Sequence, residues 1–190
     1  MENLLMLVVG IGNPGENYKF TRHNIGFRVL DRFAKKLSVE FKYSKELNSE
    51  IIKKGNFVLI KPHTFVNLSG IATSSAVSKY SISIQNLLVV CDDFSLLLGK
   101  LKLKLKGSSG GHKGLESIIK ELGTEEFPRL RLGIGPVPEG VDPKEFVLSK
   151  FESSEEKIVE EMIEKAVQSI EKIIEIGIEK TMEFVNRKNE

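Results

Sequence analysis

Tryptophan is absent from the sequence, cysteine occurs once and histidine three times. The single thiol, Cys91, excludes an intramolecular disulfide and a cysteine-built metal cluster. Its setting in the apolar run LLVVCDD reads as that of a small buried hydrophobe. With so few histidines, no H-E-x-x-H and no carboxylate cluster at ligand spacing, no metal site is expected. Long hydrophobic runs are missing too. The longest, Leu4 to Val9, is far too short to cross a bilayer, and the first charge is Glu2, so the basic start of a secretory signal is absent. A cytoplasmic location and no membrane partner are expected. Repeats, low-complexity tracts and convincing linkers are also lacking.

What remains is ordinary globular composition: 41% hydrophobic and 28% charged residues exclude a disordered chain, and 190 residues suit one domain. The net charge of +2 hides an asymmetry. Residues 151 to 190 hold 6 Lys/Arg against 11 Asp/Glu, leaving 22 against 15 in residues 1 to 150. The first part is basic enough to suit a polyanion, behind an acidic C-terminal segment.

Strand patterns fall at LLMLVVGIG (4–12), NFVLIKP (56–62), NLLVVCDD (86–93), KLKLKLK (100–106) and RLRLGIG (129–135). Helical periodicity covers 25–37 and roughly 68–80, and Leu115, Ile118, Ile119 and Leu122 mark a helix stopped by Gly123. From about residue 153 a capping-box pattern, Ser153 to Glu156, opens an amphipathic stretch with Ile158, Val159, Met162, Ile163, Ala166, Val167, Ile170 and Ile174 on one stripe, which Gly177 ends or bends. Alternating strands and helices predict a single α/β domain over 1–190: three layers, with a mixed, mostly parallel twisted sheet flanked by helices.

In such folds ligands gather at the carboxyl ends of the strands. The turns there hold Asn13, His63, Asn67, Asp92, Asp93 and His112, with His23 just beyond the first of them. In KLKLKLK, period-two geometry puts Lys100, Lys102, Lys104 and Lys106 on one face and the leucines on the other. For lysines alone, a solvated edge strand guarded against aggregation is the commoner reading; an anion-binding face is the other.

Three motif matches are weak in context. GIGNPG (10–15) has the dinucleotide-binding spacing, but Pro14-Gly15-Glu16-Asn17 is turn chemistry and the helix starts only near Ile25. GSSGG (107–111) has nucleophile-elbow spacing around Ser109, yet no histidine follows His112 in the chain. The same stretch imitates a phosphate-binding P-loop without the Ser or Thr after its lysine. A glycine loop shaping backbone N–H groups around an anion is the better reading.

Taken together, GIGNPGENYKFTRHNIGFRVLD, KPHTFVNLSG, CDDFSLLLGKLKLKLKGSSGGHKG and FPRLRLGIG resemble bacterial peptidyl-tRNA hydrolases in order, spacing and wording, over nearly the whole chain. The resemblance implies a monomeric α/β enzyme without cofactor or obligate protein partner. Such an enzyme cuts the ester between peptide and tRNA, so that tRNA returns to translation. It implies His23 as the catalytic base, Asp92 as the carboxylate orienting it, and Asn13 and Asn67 as amides holding substrate or water. Tyr18 and Phe65 would then contact the peptide end, and Lys104 and Arg131 the 5′ phosphate of tRNA. By their residues alone, a histidine beside Arg22 and Asn24 is usually a capping or surface residue and an asparagine before Pro14 a turn former, and nothing but the resemblance chooses His23 over His112. The pattern breaks at Lys113, where the family commonly has asparagine, and more mildly at Val66 and in FSLLLG; lysine donates but cannot accept. The rival reading is a non-catalytic RNA-binding protein on the same fold.

Overall fold

The computed structural model describes residues 5–187, so Leu4, at the head of the first expected strand, lies outside the described residues. In chain order the elements are β1 (Met6–Gly10), α1 (Ile25–Lys36), β2 (Lys42–Ser44), β3 (Ser49–Lys54), β4 (Phe57–Pro62), α2 (Ser69–Lys79), β5 (Leu87–Leu97), β6 (Leu101–Lys104), α3 (Lys113–Leu122), β7 (Arg129–Gly135), α4 (Pro143–Leu148), α5 (Glu156–Ile176) and α6 (Ile178–Arg187). The strands form one seven-stranded sheet in the order β2-β3-β4-β1-β5-β7-β6. β4, β1, β5 and β7 run parallel, and β3, β2 and β6 add antiparallel pairings at the edges.

Alternation along the buried strands feeds two cores. Met6 and Val8 of β1 and Leu88 and Val90 of β5 face α1 and α5, whereas Leu7, Val9, Val89 and Cys91 face α2 and α3. This is the three-layer architecture expected. The order reverses beside β1, which pairs with β4 on one side and β5 on the other, so its carboxyl end opens a crevice. Gly26 closes the first turn of α1 onto that end, because a Cβ there would lie 2.5 Å from the Val90 carbonyl oxygen and 2.7 Å from Ile11 N. The segment just before α1 is thereby pressed against the crevice.

Several expectations change. The β2–β3 hairpin and α4 are additional elements, and β5 runs four residues past Asp93. β6 stops at Lys104 because its partner β7 begins at Arg129, directly opposite, behind a proline that lacks an N–H. Lys106 thus leaves the lysine face and pairs with Glu126. Nor are the lysines the guard of this edge. The Asn186 amide of α6 accepts from Leu103 N at 3.0 Å and donates to Leu103 O at 3.1 Å, covering ladder groups that would otherwise be open.

The capping box at Ser153 does not form. α5 begins at Glu156, whose carboxylate pairs with Arg28, and the neighbouring Glu155 is held by the buried Arg22. On its stripe Ile158 is exposed and Ile173 is buried. Four acidic residues of α5 face α1: Glu156 and Glu160 meet Arg28, Glu160 and Glu164 meet Arg32, and Glu171 meets Lys36. They neutralise α1 and leave Lys102 and Lys104 without a carboxylate partner among the described residues.

Candidate active site

The crevice at the switch point is a cleft of about 500 Å³ lined by Asn13, Tyr18, His23, Phe65, Asn67, Asp92, His112, Lys113 and Arg131, among others. Of the residues to which the resemblance gave a role, only Lys104 lies outside its lining. Lys104 pairs in register with Arg129, two positions from Arg131 on β7, so it extends the sheet face from which Arg131 enters the cleft.

Asp92 is the buried centre. It lies one residue before the end of the buried part of β5, and its Oδ1 receives two imidazoles: His23 Nδ1 at 2.8 Å and His112 Nε2 at 2.9 Å. The two histidines are not equivalent. His112 is the N-cap of α3, and its Nδ1 accepts from Gly114 N at 3.1 Å and Leu115 N at 3.3 Å. Nδ1 therefore carries the lone pair and Nε2 the proton given to Asp92, leaving His112 with no free nitrogen. His23 gives Nδ1–H to the same oxygen, and its Nε2 has no partner among the described residues. That lone pair is available to take a proton in the cleft.

Burial disfavours the His23 imidazolium, but the charge and hydrogen bond of Asp92 outweigh it and raise the His23 pKa above its ordinary value. Burial likewise favours the neutral Asp92 acid, and the two histidines reverse that, holding the carboxyl well below the usual carboxylate range. Cys91, next to it on the opposite face, is fully buried, and burial pushes its thiol pKa up. It is inert packing, as expected.

Each residue of TRHN serves the position of His23. Thr21 Oγ donates to Tyr18 O, closing the turn. Arg22 pairs with Glu155 through both terminal nitrogens, stacks on Phe146 at 4.5 Å and Phe151 at 4.7 Å, and so ties the turn to the start of the C-terminal helices. Asn24 accepts from Asn13 N and returns a hydrogen bond to Asn13 O, both at 2.9 Å. Asn13 Oδ1 in turn accepts from Val66 N at 2.9 Å, which directs the Asn13 amide nitrogen as a donor without a partner among the described residues. GNPG is thus a framed loop and not a dinucleotide site, since two short 3-10 turns separate it from α1.

Phe65 is half exposed and meets Tyr18 edge to face, with centroids 6.3 Å apart. Asn67 is exposed on the same rim. Lys113 is exposed and paired with Glu116 at 2.8 Å, so it adds little net charge to the cleft. Arg131 is held by Asp93 at 2.6 Å. His63 is elsewhere, against Glu50 and Tyr43. The Ser109 hydroxyl accepts from Gly111 N, and no histidine among the described residues reaches it, so a serine nucleophile lacks its base.

Sequence spacing did not bring His112 to Asp92, nor show Asn24 and Arg22 as supports. The G-G-H-x-G run before a helix was the available signal for His112, because a histidine can cap. One group of described residues could hold a metal: ligand atoms of His23, Asp92 and His112 lie within 4.8 Å of one another. This was not expected from the sequence. Both histidines already hydrogen-bond Asp92, so the geometry fits an orienting hydrogen-bond centre directly.

Fold and site together define an α/β protein with a histidine–aspartate centre in a crevice at the sheet's switch point. The family model for peptidyl-tRNA hydrolase matches residues 7–190. A peptidyl-tRNA hydrolase of Methylacidiphilum infernorum is 52% identical over 162 residues, covering 85% of this chain and 87% of its own length. One of Aquifex aeolicus is 44% identical over 189 residues, covering 97% and 98%. The crystal structure of peptidyl-tRNA hydrolase from Acinetobacter baumannii superposes with a TM-score of 0.88 at 29% identity, over 98% of this chain and 96% of that one. The chain belongs to the peptidyl-tRNA hydrolase family.

Proposed function

We propose that this chain hydrolyses the ester joining a peptide to the terminal ribose of tRNA, as a cytoplasmic monomer of one domain over 1–190 that requires no metal or other cofactor. The observation that carries the reading is the asymmetry at Asp92: two histidines on one oxygen, only one with a free nitrogen. His23 Nε2 takes a proton from water, and Asp92 holds the tautomer and stabilises the imidazolium that forms. The water oxygen bonds to the ester carbon, the bond to the ribose oxygen breaks, and the proton passes on to that leaving oxygen. The Asn13 amide nitrogen is the donor for the oxyanion of the intermediate.

Tyr18, Phe65 and Asn67 bind the peptide end, an aromatic wall and an amide suiting a substrate of arbitrary side chains. Lys104 and Arg131 take the 5′ phosphate. Phosphate contacts position without reading sequence, as an enzyme serving every tRNA requires. In the Lys113–Glu116 pair, lysine stands where an asparagine would offer an acceptor at the cleft, so that acceptor is missing here.

The test is incubation with N-acetyl-aminoacyl-tRNA and with free aminoacyl-tRNA, both in EDTA, alongside His23→Ala. Cleavage of the blocked substrate alone, lost in the variant, supports the reading. A folded protein that binds tRNA without cleaving it supports a binding function instead, and activity that EDTA abolishes moves the His23–Asp92–His112 group to a metal role.

A further inference from the structure

Arg129 is only 1% exposed and is the largest fully buried side chain among the described residues, yet it has no carboxylate partner among them. A buried charge without a counter-charge requires compensation by hydrogen bonds. Here every N–H of the guanidinium meets a main-chain carbonyl. Nε and Nη2 donate to Phe127 O at 3.3 and 3.2 Å, Nη2 also to Glu125 O at 2.9 Å, and Nη1 to Ser108 O at 3.1 Å and to Gly107 O. The plane lies on the Phe127 ring, 4.3 Å from its centroid. One side chain thus clamps the Gly107–Ser108 carbonyls to the segment leading into β7.

The clamped loop is the one that reaches the cleft. Gly107, Gly110 and Gly111 adopt φ of 141°, 58° and 83°, conformations open to glycine and to few other residues, so the loop has little intrinsic stiffness. Ser109, Gly110, Gly111 and His112 line the cleft, and His112 holds Asp92. Because a trans peptide sets C=O and the next N–H antiparallel, drawing the carbonyls of 107 and 108 onto Arg129 turns the N–H groups of Ser108 and Ser109 away from it. Neither has an acceptor among the described residues.

We propose that Arg129 is a positioning residue for peptidyl-tRNA hydrolysis: it holds the 107–111 loop in the shape that receives substrate, while touching no substrate itself. The inference rests on the function proposed above. Lysine at this position keeps the charge but supplies one compact donor group in place of a planar fork, so it can satisfy one part of the clamp and not the whole.

The experiment uses Arg129→Lys, assayed well below its melting temperature, with amide exchange read by mass spectrometry. The KM for N-acetyl-aminoacyl-tRNA is expected to rise about tenfold with kcat changed much less, the scale of one or two lost hydrogen bonds. Exchange over residues 107–112 is expected to accelerate while β5 and β7 stay protected. Unchanged kinetics, or exchange that accelerates equally in loop and strands, would overturn the proposal and leave Arg129 a general stabiliser. If Arg129→Lys does not fold, Phe127→Leu removes the ring beneath the guanidinium and keeps the donors. Loop-selective exchange supports the clamp there, and uniform exchange sinks it. A wild-type protein without hydrolysis refutes the function; the exchange pattern still decides whether Arg129 holds the loop.

Discussion

His23 and His112 stand with ring centroids 5.0 Å apart and planes inclined by 46°, meeting on one oxygen of Asp92 from two different segments of the chain. Each imidazole hydrogen-bonds the same carboxylate, but the N-terminus of α3 has already engaged the far nitrogen of His112. The two rings are thus placed differently: His112 joins helix to carboxylate, and His23 faces the cleft with a lone pair.

The pH dependence follows from that division. His23 must be neutral to take a proton, and its pKa is raised, by Asp92 against burial. The rate is expected to climb with pH along a limb whose midpoint lies above about 6.5, the ordinary histidine value. Asp92→Asn removes the charge that raises it, so the limb should move to lower pH while kcat drops by about 10²-fold or more. Profiles of kcat/KM for both proteins decide the matter; an unmoved midpoint would mean that another group titrates.

Stability has the opposite sense for the two partners. The raised His23 pKa contributes stability that is full below the unfolded value and is lost as pH rises through the folded one. The depressed Asp92 pKa contributes stability present above about pH 4 that is lost on acidification. Both describe one interaction. Thermal melts should show wild type losing more stability than Asp92→Asn as the pH falls from about 5 to well below 4, the carboxylate's ordinary value, because the lowered folded pKa carries the loss downward.

His112 separates capping from chemistry. His112→Ala removes the acceptor for Gly114 and Leu115 and is expected to cost about 1 kcal/mol in denaturant unfolding. His112→Asn supplies a capping oxygen and should recover most of that. With His23 intact, both variants should retain far more activity than His23→Ala, which loses about 10²–10⁴-fold. Equal losses at the two histidines would contradict the asymmetric assignment.

How much of this was legible in the sequence varies with the kind of cause. Strand alternation, Gly123 and Gly177 act locally, and β1, α1, α2, β7 and the end of α3 fall where periodicity puts them. The family wording brought out His23 and Asp92 together. What was hidden depends on distant partners. Glu156, the acid of the expected capping box, pairs with Arg28 across 128 positions, β6 ends early because β7 does, and His112 finds Asp92 only once α3 is docked. Arg129 looked like one more cation in RLRLGIG until its burial and carbonyl contacts were visible.

Lys104 and Arg131, assigned to one phosphate, should fail in different ways. Lys104 has no carboxylate partner among the described residues, so Lys104→Ala is expected to leave the melting temperature unchanged. It should raise KM for tRNA substrates and flatten the plot of log kcat/KM against log salt by about 0.7–0.9. A minimal substrate, the blocked aminoacyl ester of adenosine, should barely register the change. Arg131 is also the counter-charge of Asp93, whose other oxygen is held by the Ser95 backbone and hydroxyl at 2.9 and 2.7 Å. Arg131→Ala leaves that buried carboxylate unpaired, so the same salt effect should come with destabilisation of about 3 kcal/mol. Arg131→Ala paired with Asp93→Asn should regain much of the stability and none of the salt slope. That combination distinguishes a phosphate contact from an ion pair kept for the fold alone, because only the former leaves the rescued protein still weak toward tRNA.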